Sequence, residues 1–207
     1  MKKITIFIVL ANDLGYRGSD IGPVSKKRGE VALQAMLKTK PKWENGRIIT
    51  SAGMACSKKF PHQKIPFGHM QRKYMMTYAQ KRKGISRGHF GNYLLAPEIH
   101  NCYCNTRSEI MSALRILQER FSKDTHFDVQ IVTSKYHAFR AKLIWNNELK
   151  RSGITNRICS CNILAITDRN FLARALEPLK VCVEWMRNLI PTKMQKWHRQ
   201  QSLFSSF

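Results

Sequence analysis

The sequence contains few acidic residues. Asp and Glu number 13 against 36 Lys and Arg, which gives a formal net charge of +23. Between Asn45 and Pro97 there is no acidic residue, although that span is rich in Lys and Arg. A field of this sign attracts phosphorylated small molecules, polyanions and anionic membrane surfaces. We therefore expect an anionic small-molecule ligand, with nucleic acid or an anionic membrane surface as the alternative partners.

Long apolar runs are also missing. No stretch approaches the roughly 20 apolar residues that a membrane-spanning helix requires, so no transmembrane segment is predicted. The opening MKKITIFIVLANDLG has the two lysines and apolar run of a secretory signal, but the run is short and Asn12 and Asp13 follow it at once. We interpret it as the first buried strand of a cytoplasmic protein with reduced cysteines, and a signal peptide is the alternative.

Six cysteines raise the question of a metal site. Cys102-x-Cys104 and Cys159-x-Cys161 could supply four thiolates to a zinc ion. Structural zinc sites favour two to four residues between paired ligands, however. Cys159 and Cys161 also fall in a predicted strand, where residues two apart share a face and pack as buried thiols. We therefore predict no zinc site at these cysteines.

Hydrophobic patterning predicts strands that alternate with helices. Residues 3–10 are apolar nearly throughout, which is typical of a strand covered on both faces in a parallel sheet. A helix over residues 105–121 begins with Thr106-Arg107-Ser108-Glu109, which matches a capping box. Its apolar residues keep helical spacing: Ile110, Ala113, Leu114, Leu117 and Phe121. The alternation predicts a Rossmann-like, doubly wound α/β fold with a mainly parallel sheet and helices on both faces. We place one domain at residues 1–190 and a basic tail at residues 191–207. The other predicted strands cover residues 46–53, which include a turn, and residues 93–95, 129–132 and 158–166. The other predicted helices cover residues 25–39, with Ser25 as cap, residues 69–83, a segment that ends at Gly153, and residues 171–189.

Polar residues follow several of the predicted strands. Ligands of such folds bind at the carboxyl ends of the strands, where the strand order reverses. His137 and Arg140 are three residues apart and share a helical face just after a strand, and a helix N-terminus attracts anions. The alternative is that Ser134 only caps this helix and that His137 and Arg140 are solvated. The other clusters are Asn12-Asp13, Thr50-Ser51-Ala52-Gly53, Glu98 and Thr133-Ser134.

These residues suggest chemical roles. His137 could act as a general acid or base, because an imidazole titrates near neutrality. Asp13 and Glu98 are its candidate carboxylate partners, whether for catalysis or for holding a metal with it. Arg140 could bind phosphate through its bidentate fork. The alternative is a structural ion pair between Glu98 and Arg140, with His137 merely packed. The candidate ligand-binding residues are Asn12, Arg28, Ser51, Gly53, Asn105, Thr106, Thr133, Ser134 and Arg140.

The order of these clusters resembles the YdcF-like domain family, which includes SanA and ElyC. Four segments carry the resemblance: Arg28-Gly29-Glu30-Val31-Ala32; Thr50-Ser51-Ala52-Gly53; Glu98 followed by Asn105-Thr106-Arg107-Ser108-Glu109; and Val132-Thr133-Ser134-Lys135-Tyr136-His137-Ala138-Phe139-Arg140-Ala141. The last matches the family's V-T-S-x-x-H-x-x-R-A segment. The resemblance implies a role in cell-envelope or murein-precursor metabolism, and S-adenosylmethionine or another nucleotide-type ligand. This chain departs from the family pattern at the position where the family has Ser-Glu-Ala. It has His69-Met70-Gln71-Arg72 there, which contains no carboxylate.

Two functions remain open at this point. The first is an enzyme-like domain that binds a phosphorylated or nucleotide-type small molecule and hydrolyses or transfers a phosphate-linked group. The second is a non-catalytic basic module that binds nucleic acid or an anionic surface, in which Phe60, Tyr74 and Tyr78 could stack on bases between the cations. Tyr74 and Tyr78 share a helical face with methionines, however, and a core face explains them better. The absent carboxylate near His69 favours the second.

Overall fold

A computed structural model describes residues 2–11, 21–39, 42–51, 67–97, 105–168 and 171–189, with the side chains of 174–186 in the last segment. Strands and helices alternate along these ranges, as predicted. The strands are β1 (Lys2–Val9), β2 (Gly46–Ile49), β3 (Leu94–Leu95), β4 (Thr125–Ser134) and β5 (Ile158–Ile166). The α-helices are α1 (Pro23–Leu37), α2 (Phe67–Lys83), α3 (Arg87–Gly91), α4 (Thr106–Glu119), α5 (Ala138–Ser152) and α6 (Phe171–Leu189).

The five strands form one sheet in the order β3-β2-β1-β4-β5, and every neighbouring pair is parallel. The chain adds β2 and β3 on one side of β1 and then returns to add β4 and β5 on the other side. The strand order therefore reverses between β1 and β4, which is where doubly wound sheets bind their ligands. This topology confirms the predicted Rossmann-like α/β fold.

Both faces of the sheet are covered, and β1 shows this most clearly. Ile4, Ile6 and Ile8 face one way and pack with apolar residues of α4 and α5, including Trp145. Phe7 and Val9 face the other way and belong to a second apolar cluster with residues of α1 and α2. A strand buried on both sides needs apolar residues at successive positions, which explains the unbroken apolar run in the sequence.

Two helix starts differ from the predictions. Gly22 occupies the N-cap of α1, and Ser25 is buried inside the helix, so the prediction that Ser25 caps it is wrong. In α4 the cap is Asn105, whose side chain accepts the N–H of Ser108 at 2.9 Å, while the Ser108 hydroxyl is 3.2 Å from the N–H of Asn105. The capping box thus lies one residue earlier than predicted. Glu109 takes no part in the cap and is available for contacts elsewhere.

The end of α5 agrees with the prediction. Gly153 follows the helix with a φ of 74°, a left-handed conformation that favours glycine. The cysteine prediction is only partly correct. Cys159 is exposed in β5, and Cys161 is half-buried, where burial raises the pKa of its thiol. Cys102 and Cys104 lie outside the described residues.

The chain divides into two compact units, Met1–Arg169 and Asn170–Phe207. In the second unit α6 contains Pro178 in its interior. Among the described residues, no helix combines the length and apolar character needed to cross a membrane. The single domain at residues 1–190 stays a prediction, and the tail at residues 191–207 lies outside the described residues.

Candidate functional site

Polar side chains gather at the carboxyl ends of β1, β2, β4 and β5, and we call this region the carboxyl-edge site. Arg28 of α1 is its most buried charged group, with 1% of its surface exposed. Its Nη1 donates hydrogen bonds to the carbonyl oxygens of Leu10 at 3.0 Å and Ala11 at 2.7 Å, just past β1. Its Nη2 donates to the Ser134 hydroxyl at 2.6 Å, and this hydroxyl donates to the carboxylate of Asp168. Arg28 therefore joins the end of β1 to the end of β4, across the point where the strand order reverses.

Glu109 forms the other half of the site. This buried carboxylate of α4 accepts the N–H of Ala11 at 2.7 Å and the hydroxyl of Ser51, which follows β2. The backbone N–H of Ser51 in turn donates a hydrogen bond to Oε1 of Gln71 in α2 at 2.9 Å. One glutamate and one glutamine thus fix the ends of two neighbouring strands, and Gln71 is fully buried in doing so.

Sequence reasoning missed Glu109 and Gln71, although a signal for each was present. Glu109 stands four residues before Ala113 and eight before Leu117, on the apolar stripe of its helix. Gln71 stands four residues before Met75 on the buried side of α2. A polar residue on an apolar stripe must satisfy its hydrogen bonds inside the protein. Glu109 was instead assigned to a capping box that the structure places one residue earlier.

Close backbone packing also shapes this edge. Gly68 in the first turn of α2 lies against the carbonyl of Ser51, and a Cβ at Gly68 would come within 2.2 Å of that oxygen. The start of α2 therefore packs directly against the backbone that follows β2.

His137 ends a short 3₁₀ turn, Lys135–His137, that connects β4 to α5. It is 6% exposed, and its Nε2 lies 2.8 Å from the hydroxyl oxygen of Thr106. Nη2 of Arg140 donates to Nδ1 of His137 at 2.9 Å. Since a guanidinium carries only donors, Nδ1 must accept, which places the proton of the neutral imidazole on Nε2, where it is donated to Thr106. The alternative that His137 and Arg140 are solvated is wrong for His137, and Arg140 is half-buried.

The remaining predicted residues have separate placements. Thr133 is fully buried in β4, and within the described residues its hydroxyl has no hydrogen-bond partner. Thr133 shares a face of β4 with Ile131, the face that α4 and α5 cover. Asn105 is exposed and caps α4. Asn12, Asp13, Gly53 and Glu98 lie outside the described residues.

The structure therefore brings five of the predicted residues into two hydrogen-bonded groups. Arg28 and Ser134 form one, and Thr106, His137 and Arg140 form the other. Ser51 joins the edge through Glu109, which was not predicted. The fold and this edge define the chain as a Rossmann-like α/β protein with a cluster of polar side chains at its switch point.

Comparisons with known proteins do not extend this assignment. No family model, curated protein or solved structure matches the chain. The resemblance to the YdcF-like family stays a prediction from the four segments that carry it.

Proposed function

We propose that the chain binds a phosphorylated or nucleotide-type small molecule at the carboxyl-edge site and hydrolyses or transfers a phosphate-linked group. The observation that carries the proposal is the contact of Arg140 with His137 at the start of α5, beside the switch point between β1 and β4. A cation and a group able to carry a proton are thereby held together where ligands of this fold class bind.

The positive charge favours a phosphate-bearing ligand. Arg140 is half-buried and lies in the first turn of a 15-residue helix, whose N-terminus adds a partial positive charge. A guanidinium can hold a phosphate through two parallel hydrogen bonds. S-adenosylmethionine, which the family resemblance suggests, carries a sulfonium cation and no phosphate. Electrostatics alone therefore rank ADP-like ligands above it in a chain of net charge +23.

His137 supplies the proton chemistry in this proposal. Its Nδ1 accepts the hydrogen bond of Arg140. When a phosphate draws Arg140 into a bidentate contact, Nδ1 becomes available as a proton acceptor. A water oxygen then attacks phosphorus, its proton passes to Nδ1, the bond from phosphorus to the leaving oxygen breaks, and the proton is returned to that oxygen. Thr106 holds the imidazole from the other side through Nε2.

Calorimetric titration with ADP, pyrophosphate and S-adenosylmethionine tests the binding step. We expect ADP and pyrophosphate to bind, and Arg140→Gln to weaken that binding about tenfold or more, which corresponds to about 1.4 kcal/mol. Arg115→Gln is the matched control, because Arg115 is an exposed cation paired with Glu119 on α4. If none of the three probes binds with millimolar affinity, or if both variants weaken binding equally, the proposal fails.

Thr133→Val and His137→Asn separate binding from catalysis. Valine keeps the shape of Thr133 and removes a hydroxyl without a described partner, so stability should be unchanged or higher. A fall in ADP affinity with undiminished stability would show that this hydroxyl serves a ligand. His137→Asn should abolish phosphate release from ADP and leave ADP bound. Retained turnover in His137→Asn would contradict the assigned role of His137.

A further inference from the structure

A second cluster of aromatic and basic residues lies at the opposite, amino-terminal edge of the sheet. Trp43 begins the 3₁₀ turn, Trp43–Asn45, that leads into β2, and Tyr93 directly precedes β3. These two strands are parallel neighbours paired through Ile48 and Leu94. His89 of α3 joins these two rings. Because the strands are parallel, this cluster lies at the ends of β2 and β3 opposite to the carboxyl-edge site. We call Trp43, His89 and Tyr93 the ring cluster.

The three rings are in mutual contact and mutually inclined. Their centroids are 5.6 Å apart for Trp43 and His89, 5.5 Å for His89 and Tyr93, and 4.9 Å for Trp43 and Tyr93. The guanidinium of Arg47 lies 4.6 Å from the centroid of Tyr93 and donates to the carbonyl of Gly46 at 2.7 Å. Tyr93 is therefore covered by a cation. His89 is exposed and Trp43 half-buried, so these two rings are the accessible part of the cluster.

Exposed cations flank the ring cluster along the chain. The last turn of α2 is Lys81-Arg82-Lys83, all exposed, and Gly84 ends the helix with a φ of 66°. Arg87 is exposed at the start of α3, two residues before His89. Basic residues at a helix C-terminus also stabilise the helix dipole. That role does not require three consecutive cations, a fourth on the next helix, or rings beside them.

We propose that the ring cluster and these four cations bind single-stranded nucleic acid, with phosphates on the cations and a base stacked on the exposed ring of His89, beside Trp43. Exposed rings next to cations are the recurring chemistry of single-strand binding, because every base has a face that can stack. An anionic membrane would engage the cations but give the rings no stacking partner. Among the described residues from 42 to 97, Glu44 is the only acidic residue. This part of the chain therefore carries little negative charge that would repel a polyanion.

This surface uses other rings than the one predicted from the sequence. Tyr74 donates its hydroxyl to Glu30 at 2.6 Å, and Tyr74 and Tyr78 both pack against the core between the sheet and α1. Both rings are half-buried, whereas His89 is exposed, and Phe60 lies outside the described residues. The acid-free span between Asn45 and Pro97 does carry an exposed ring, His89, in the segment that leads into β3.

Fluorescence anisotropy with a labelled 20-nucleotide poly(dT) strand, titrated at several salt concentrations, tests the proposal. Replacing Lys81, Arg82 and Lys83 by Gln should weaken binding and lower the slope of log K against log salt by about 2, since each phosphate contact contributes about 0.7 on a single strand. The matched control replaces Arg120, Lys123 and Lys150 by Gln. These three exposed cations follow α4 or end α5, on the β4 and β5 side of the same edge.

The rings are tested by His89→Ala and Trp43→Phe. His89→Ala should weaken poly(dT) binding about five- to tenfold, because stacking on one ring is lost. Trp43→Phe keeps an aromatic ring and should retain most of the affinity, while it removes the tryptophan fluorescence that poly(dT) quenches. His137→Ala should leave poly(dT) binding intact, so failure of the carboxyl-edge proposal would not affect this one.

Three results would overturn the proposal. The first is an equal loss of affinity in the two triple variants, which would indicate a diffuse field without a site. The second is an unchanged affinity in His89→Ala. The third is that heparin or phosphatidylglycerol vesicles displace labelled poly(dT) as well as unlabelled poly(dT) does, both from the protein and from His89→Ala. Melting curves of each variant show whether a loss of affinity reflects unfolding. His89 is exposed on a short helix, so His89→Ala should fold and can test the proposal even if a triple variant does not fold.

Discussion

The hydroxyl of Ser51 donates to the carboxylate of Glu109, 58 residues further along the chain. The same carboxylate oxygen accepts the N–H of Ala11. One buried atom thereby connects the end of β2, the end of β1 and the first turn of α4. The shape of the carboxyl edge depends on this contact, because these two strand ends form one side of the switch-point region.

Glu109→Ala should destabilise the fold substantially. It leaves the Ala11 N–H and the Ser51 hydroxyl without this acceptor, at an expected cost of about 2–4 kcal/mol. Glu109→Gln keeps an acceptor oxygen and should cost about 1 kcal/mol, which is the loss of the charge assistance. Urea unfolding measures both. The control is Glu119→Ala on the same helix, where an exposed pair with Arg115 contributes about 0–1 kcal/mol. Equal effects of Glu109→Ala and Glu119→Ala would contradict the assigned role.

Gly68→Ala should displace the start of α2 from the end of β2. The added Cβ would meet the backbone oxygen of Ser51, which cannot rotate away as a side chain can. We expect a loss of about 3 kcal/mol and weaker protection of the Ser51 N–H in hydrogen exchange. Gly88→Ala in α3 is the matched control. Nothing lies within 4 Å of its added Cβ, so this change should stabilise the helix by about 0.5–1 kcal/mol. A harmless Gly68→Ala would show that the contact adjusts freely.

Arg28→Met should be among the most damaging single changes in the fold. It removes the donors for the Leu10 and Ala11 carbonyl oxygens and for the Ser134 hydroxyl, and breaking such a buried charged network costs about 3–5 kcal/mol. Lys27→Met is the control, because Lys27 is exposed on the same helix and its loss should change stability by less than about 0.5 kcal/mol. Adding Asp168→Asn to Arg28→Met should restore part of the stability, since a buried negative charge is then removed as well. A strictly additive double variant would argue against the link through Ser134.

Asp128→Asn should show a pH-dependent effect. Partial burial alone would raise the pKa of Asp128, but hydrogen bonds from Lys3 and Ser160 and the charge of Lys3 hold that pKa below its usual value. A lowered carboxyl pKa contributes stability that is present above the unfolded value near 4 and is lost as the pH falls through the folded value. The pKa of Lys3 is raised, mainly by its hydrogen bond to Asp128, so its contribution is lost as the pH rises through that value.

Melting temperatures of the protein and of Asp128→Asn should therefore differ by a few degrees at most near neutral pH, because the pair lies at the surface. The two curves should converge below about pH 4 and again above about pH 10.5. Added salt should reduce the difference at neutral pH. A difference that persists at pH 2 would mean that the Asp128→Asn substitution disturbs packing and that the charge pair contributes nothing.

Local patterns in the sequence were sufficient for the fold class. The apolar run of β1, the helical stripe of α4 and the glycine after α5 each predicted an element that the structure contains. They succeed because burial on two faces, amphipathic packing and left-handed backbone leave marks on adjacent residues. The start of α4 shows the limit. Asn105 and Thr106 both suit an N-cap, and only the structure shows that Asn105 is used and that Glu109 is consequently available to the site.

The sequence by itself determined the alternation of strands and helices, the excess of positive charge and the position of His137 and Arg140 just after a buried strand. Only the tertiary structure decided that Glu109 bonds to Ser51, that Arg28 bonds to Ser134 and that His89 contacts Trp43. Elements arise from neighbouring residues, whose periodicity is visible along the chain. Contacts between residues 46 to 106 positions apart depend on strand order and register, which no local pattern contains.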